Sequence, residues 1–197
     1  GGGGTYTRMV EDRLRALTGS PHAFFVTSCT HALELALMAL GIGRDDEVIV
    51  PSFTFASTAT CVIRQGARPV FADIDPDTWT LDPVDVARCL SSRTRAIIPV
   101  HYAGHPARMS ELAALRPARC VIIEDAAHAL GATWQRQAAG TIGDAGCFSF
   151  HSTKNVTCGE GGALLLPDED AARRAECIRE KGTNREQFIR KEVAYYS

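Results

Sequence analysis

Short apolar runs alternate with longer amphipathic ones along this chain, the pattern of β-α units wound around a parallel sheet. "HAFFVT" (22–27) predicts a strand, and "HALELALMALGI" (31–42) a helix with Leu33, Leu37 and Leu40 on one face, stopped at Gly41 or Gly43. "EVIVP" predicts a strand ended by Pro51, "FASTATCVIRQG" (55–66) a helix, "RPVFADI" (68–74) a strand and "VDVARCL" (84–90) a helix. The polar stretch "DPDTWTLDP" between the last two is full of turn residues. "RAIIPVH" (95–101) and "CVIIED" (120–125) are near-continuous apolar runs, as expected of strands covered on both faces. A helix over roughly Ser110 to Leu115 connects them. "GCFSF" and "GALLL" predict two further strands, and 168–182 a charged helix ending at Gly182. The fold class expected is α/β, a three-layer α/β/α arrangement around a mostly parallel sheet.

At 197 residues one substantial core is expected, read as a single domain over 1–197. Lys and Arg number 21 against 23 Asp and Glu, so no strong field draws the chain to nucleic acid or an anionic membrane. The seven cysteines, at 29, 61, 89, 120, 147, 158 and 177, form no C-x-x-C pair and read as reduced thiols, not as metal ligands. No apolar run is long enough to span a bilayer, and a cytoplasmic location is expected. The ends, "GGGGTYT" with its loop composition and "EVAYYS", read as those of a fragment.

In open α/β sheets ligands sit beyond the carboxyl ends of the strands. Four such places carry chemistry. In "TSCT" (27–30), Ser28 and Thr30 are good helix caps, and the free N–H groups of the following helix suit a phosphate; an ordinary cap is the plainer reading. In "IIEDAAHALGA", Glu124 and Asp125 close an apolar strand, and His128 lies one turn along if the segment is helical. A strand-end cap and a surface histidine is the alternative. In "GCFSFHSTKN", Ser149 points away from Phe148 and Phe150, and Lys154 follows in a turn, where a partly dry amine can attack a carbonyl. Phe55 in "PSFTFASTAT" is placed to stack on a planar ligand, or simply to fill the core. Taken together, a phosphate loop, an aromatic, an acid, a histidine, a serine and a lysine outline a pyridoxal phosphate site.

With those residues in hand, the chain resembles the DegT/StrS sugar aminotransferases, fold type I pyridoxal phosphate enzymes. The resemblance rests on "TSCTHALELAL", "GDAGCFSFHSTKN" and "GEGG", with "DDEVIVPSFTFASTA", "VHYAG" and "IIEDAAHALGA" in order. It implies the large domain of the aspartate aminotransferase type of fold. It makes Lys154 the Schiff-base lysine, Asp125 the partner of the pyridinium nitrogen and His128 the neighbour of the phenolic oxygen. Ser149, Cys29 and Thr30 become phosphate ligands, and Phe55 the stacking aromatic. "SFHSTKN", "PVHYAG" and "IREKGTNREQF" are most similar to enzymes that aminate the 4-keto carbon of a dTDP-linked 6-deoxyhexose with glutamate as donor. The nearest activity is the transamination giving dTDP-4-amino-4,6-dideoxygalactose. A homodimer with shared active sites is implied as well.

Family members are longer, so truncation at both ends and absence of a C-terminal small domain are expected, and an inactive or incomplete relative is one alternative. Amination at a 3-keto carbon is another. A sugar dehydratase of this kind has histidine where this chain has Lys154. A nicotinamide-binding module is opposed by "TSCTHA", which stands where a G-x-G-x-x-G would follow the first strand.

Overall fold

The apolar runs become the strands of one seven-stranded sheet in a computed structural model that describes residues 3–194. In chain order the strands are β1 (His22–Val26), β2 (Glu47–Pro51), β3 (Arg68–Ala72), β4 (Thr94–Ile97), β5 (Val121–Asp125), β6 (Thr133–Trp134), β7 (Gln137–Ala138), β8 (Ala145–Ser149) and β9 (Gly162–Leu166). The helices are α1 (Thr5–Thr18), α2 (Cys29–Ala39), α3 (Ser57–Arg64), α4 (Pro83–Cys89), α5 (Met109–Leu115), α6 (Glu169–Arg179) and α7 (Arg185–Ile189). The sheet order is β1-β9-β8-β5-β4-β2-β3, with β6 and β7 forming a separate hairpin. Strand β9 runs antiparallel to both its neighbours, and the remaining pairings of the seven-stranded sheet are parallel.

Burial explains why the central strands lack alternation. Every residue of β2 and β9 is buried, because helices cover both faces. On one face Leu33 and Leu37 of α2, Cys61 and Val62 of α3 and the alanines of α6 pack with Val48, Val50, Ile123 and Leu164. On the other, Val86 of α4 and Leu112 of α5 meet Ile49, Ile97 and Ile122, while Leu14 of α1 joins Phe148, Phe150 and Leu165. The three-layer α/β/α expectation therefore holds.

Three local expectations are corrected. Thr5, within the stretch of loop composition, opens helix α1 with Gly4 as its N-cap, and the glycines ahead of it hide that start in the sequence. Tertiary contacts hold that helix, since Glu11 accepts the Phe25 N–H at 2.9 Å and pairs with Arg179. The strand drawn from 95 to 101 stops at Ile97, because Pro99 has no N–H to continue a ladder. His128 lies in a turn, closed by Ala129 N–H on the Ala126 carbonyl at 2.9 Å, not on a helix. Among the described residues no helix is long and apolar enough to cross a membrane.

Candidate active site

Strands β1, β5 and β8 point their carboxyl ends toward the same edge of the sheet, and each delivers a polar residue there. The residue after β1 leads into α2, whose N-cap is Ser28; its Oγ accepts the His31 N–H at 3.2 Å. The first N–H groups of a helix have no intrahelical acceptor, so those of Cys29 and Thr30 stay available to an anion. Gly162 pairs in register with both Val26 and Ser149, and so lies between them. A Cβ there would sit 2.3 Å from the Ser28 carbonyl carbon and 2.5 Å from the Cys29 nitrogen, so only glycine lets this turn close down on β9. That requirement explains the last glycine of "GEGG". Ser149, across the pair, accepts the His151 N–H at 3.4 Å.

Asp125 ends β5 and is buried, yet its carboxylate is well supplied with donors. Thr58 Oγ1 donates to Oδ2 at 2.9 Å, and the Ala127 N–H donates to Oδ1 at 3.2 Å. The Cys29 thiol makes a longer contact to Oδ1 at 3.8 Å. Burial first, and the Asp125 charge second, hold the thiols of Cys29 and Cys147 far above their ordinary range and push Cys61 up to about 12. These cysteines are protonated spectators that keep the carboxylate in a dry setting.

His128 is half-buried, and its Nδ1 accepts the Ala103 N–H at 3.3 Å. That bond leaves the proton on Nε2 in the neutral ring. Burial, followed by the positive charge of Lys154, lowers its pKa below 6.5, so the neutral form prevails. Lys154 sits in a turn closed by its own N–H on the His151 carbonyl at 2.9 Å. Its charge is felt by Cys29 as well as by His128. The structure thus brings Lys154, Asp125, His128 and Cys29 into one neighbourhood, with Thr30 and Ser149 at its border. Phe55 lies beyond β2 and is 78% exposed, with a ring free to cover a ligand.

Several residues at this edge escaped the sequence reading. Thr58 was hidden in an unremarkable helix, although a buried hydroxyl always needs a partner. Glu124, which the sequence placed with Asp125 at the strand end, turns the opposite way and is fully buried. It accepts N–H bonds from Ile142 and Gly143 at 2.6 Å and from Gly140 at 2.7 Å, with His101 Nε2 also at 2.7 Å. His101 Nδ1 in turn accepts the Ala107 N–H at 3.1 Å, so the imidazole is the donor to Glu124. Glu124 is therefore structural. Phe53, Trp79 and Tyr102 form an aromatic array that ends on the His128 ring.

A lysine amine, a buried carboxylate, a neutral imidazole and a helix N-terminus at the carboxyl edge of such a sheet define the fold type I class of pyridoxal phosphate enzymes. Residues 2–196 match the DegT/DnrJ/EryC1/StrS aminotransferase family, and the chain belongs to it. It is 43% identical over 188 residues to the uncharacterised protein MJ1066 of Methanocaldococcus jannaschii, covering 95% of this chain and 49% of that protein. It is 45% identical over 170 residues to the spore coat polysaccharide biosynthesis protein SpsC of Bacillus subtilis, covering 86% and 44%. Among solved structures it resembles DesV of S. venezuelae, determined with a ketimine intermediate, at 41% identity and a TM-score of 0.87 over 91% of this chain and 49% of that one. The chain spans about half the length of the curated relatives it matches. Enzymes of this family use pyridoxal phosphate.

Proposed function

We propose that this chain carries the cofactor half of a sugar aminotransferase site, moving an amino group from glutamate to the keto carbon of a nucleotide-linked sugar. The finer reading is a dTDP-linked 4-keto-6-deoxyhexose as acceptor, supported by "SFHSTKN" and "PVHYAG", with a homodimer in the cytoplasm as the working form. The observation that carries the proposal is the meeting of Lys154, Asp125 and His128 beside a helix N-terminus that Gly162 holds against β9.

The residues present fit pyridoxal phosphate. The Cys29 and Thr30 N–H groups and the Ser149 hydroxyl suit its phosphate, the Asp125 carboxylate its ring nitrogen, and the exposed Phe55 ring its face. When bound, the cofactor supplies an electron sink that lets a proton leave the carbon bearing nitrogen. Asp125 would keep the ring nitrogen protonated, and Thr58 fixes the orientation of that carboxylate. The Lys154 amine would hold the cofactor through its aldehyde and, as a free amine, would carry a proton between carbons as a general base. Neutral His128 offers its Nε2 proton as a donor to a nearby oxygen.

The test is an absorption spectrum after adding pyridoxal phosphate, then borohydride reduction and peptide mapping. A label on Lys154 is expected. A reduced label spread over surface lysines, or none, overturns the reading.

A further inference from the structure

Phe53, Trp79 and Tyr102 come from the loops after β2, β3 and β4, and their side chains meet above the sheet edge. Trp79 stacks nearly parallel on Tyr102 at 5.8 Å, with Phe53 edge-on to both at 5.2 and 5.3 Å. Tyr102 meets the His128 ring edge-on at 5.9 Å, so the array begins one ring away from the reacting groups. Burial does not account for it, because Phe53 is 42% and Trp79 48% exposed.

The array is held under strain. Trp79 has a φ of +59° and Ala103, next to Tyr102, a φ of +52°, a region that non-glycine residues avoid. The strained Trp79 is pinned by its N–H on the Asp75 carbonyl at 2.8 Å. The Asp75 carboxylate in turn accepts the Asp77 N–H at 2.8 Å and pairs with Arg108. Conformational strain maintained to present a half-exposed indole calls for a ligand as its reason.

Resting on the aminotransferase reading above, we infer that the Phe53–Trp79–Tyr102 array is the wall against which the hexose ring of the acceptor packs its C–H face. The keto carbon must reach Lys154, so the part of the ligand within one ring of His128 is the sugar itself. The nucleobase, two phosphates away, lies farther out. Aromatic faces suit the C–H groups of a 6-deoxyhexose, which buries a methyl where other hexoses carry a hydroxyl.

The experiment uses this chain loaded with pyridoxal phosphate, glutamate, and dTDP-4-keto-6-deoxyglucose. Two readouts are followed: KM and kcat in each half-reaction, and tryptophan fluorescence in the presence of either the nucleotide sugar or dTDP alone. Trp79→Leu is expected to raise KM for the keto sugar about tenfold, with Trp79→Phe restoring it toward the parent. The glutamate-driven change in the cofactor spectrum should not follow that trend. The nucleotide sugar should change the fluorescence of the parent but not of Trp79→Phe, and dTDP alone should change neither. Equal loss in both half-reactions would mean that Trp79 serves folding alone, and an equal response to dTDP would give the array to the base; either overturns the inference. A parent that turns over both substrates with a sugar KM indifferent to Trp79→Leu also overturns it and leaves the aminotransferase reading standing. A parent whose cofactor spectrum ignores glutamate sinks that reading, and this inference with it.

Discussion

Thr58 Oγ1 donates a 2.9 Å hydrogen bond to Asp125 Oδ2 from a helix 67 residues earlier in the chain. Both groups are buried, and Thr58 is itself bonded to Thr54 at 2.8 Å. The carboxylate that would face the cofactor nitrogen is therefore aimed by α3, not by its own strand.

Thr58→Val keeps the shape and removes the donor. A buried hydrogen bond to a charged acceptor contributes roughly 1.5–3 kcal/mol, so stability should fall by that order and Tm by several degrees. Thr58→Ser should recover most of the loss. Urea denaturation of the three proteins decides it, and a Val variant as stable as the parent would show that Asp125 does not depend on this bond.

Glu124→Ala strips one acceptor from four N–H donors at once. Loss of a buried, fully paired charge costs about 3–5 kcal/mol. The variant should melt well below the parent or fail to fold. Glu124→Gln should fall between them, because its amide presents a donor to groups that are themselves donors.

Gly162→Ala places a methyl group into the Ser28–Cys29 backbone. The turn must move to admit it, which displaces the two N–H groups proposed for the phosphate. Pyridoxal phosphate affinity should drop by about tenfold or more in an absorbance titration, while far-UV circular dichroism stays close to the parent. Gly159→Ala is the control, since nothing crowds that position, although its φ of +87° adds a small strain.

His128 gives a pH signature of definite sign. Its folded pKa lies below the ordinary 6.5, so the unfolded chain binds its proton more readily. Its contribution to stability is present in full above pH 6.5, declines as pH falls from there through the lower folded value, and is gone beneath it. Thermal melts from pH 8 to pH 5, an interval of about three units around the reference value, should show this slope in the parent and a flatter one in His128→Gln. Equal slopes would place the titration elsewhere.

Periodicity and local chemistry carried much of the fold. The apolar runs "EVIVP", "CVIIED" and "GALLL" read as strands and form them, and Ser28 marks a helix start by capping chemistry that operates within a few residues. Lys154, Asp125 and His128 likewise stood out in the sequence as candidates, because ligand sites in such sheets collect at strand ends. Helix α1 could not, since glycines hide its start and Glu11 is fixed by Arg179, 168 residues away.

Tertiary structure alone decided which neighbouring groups face the site. Glu124 and Asp125 are adjacent and chemically alike, yet strand pleating sends one carboxylate into a closed shell of N–H donors and the other toward Thr58 and Cys29. The same holds for Thr58, Gly162 and the Phe53–Trp79–Tyr102 array, whose partners lie far along the chain. Sequence determines what each residue is able to do over a few bonds; only the packing of the sheet determines which of those capacities meet.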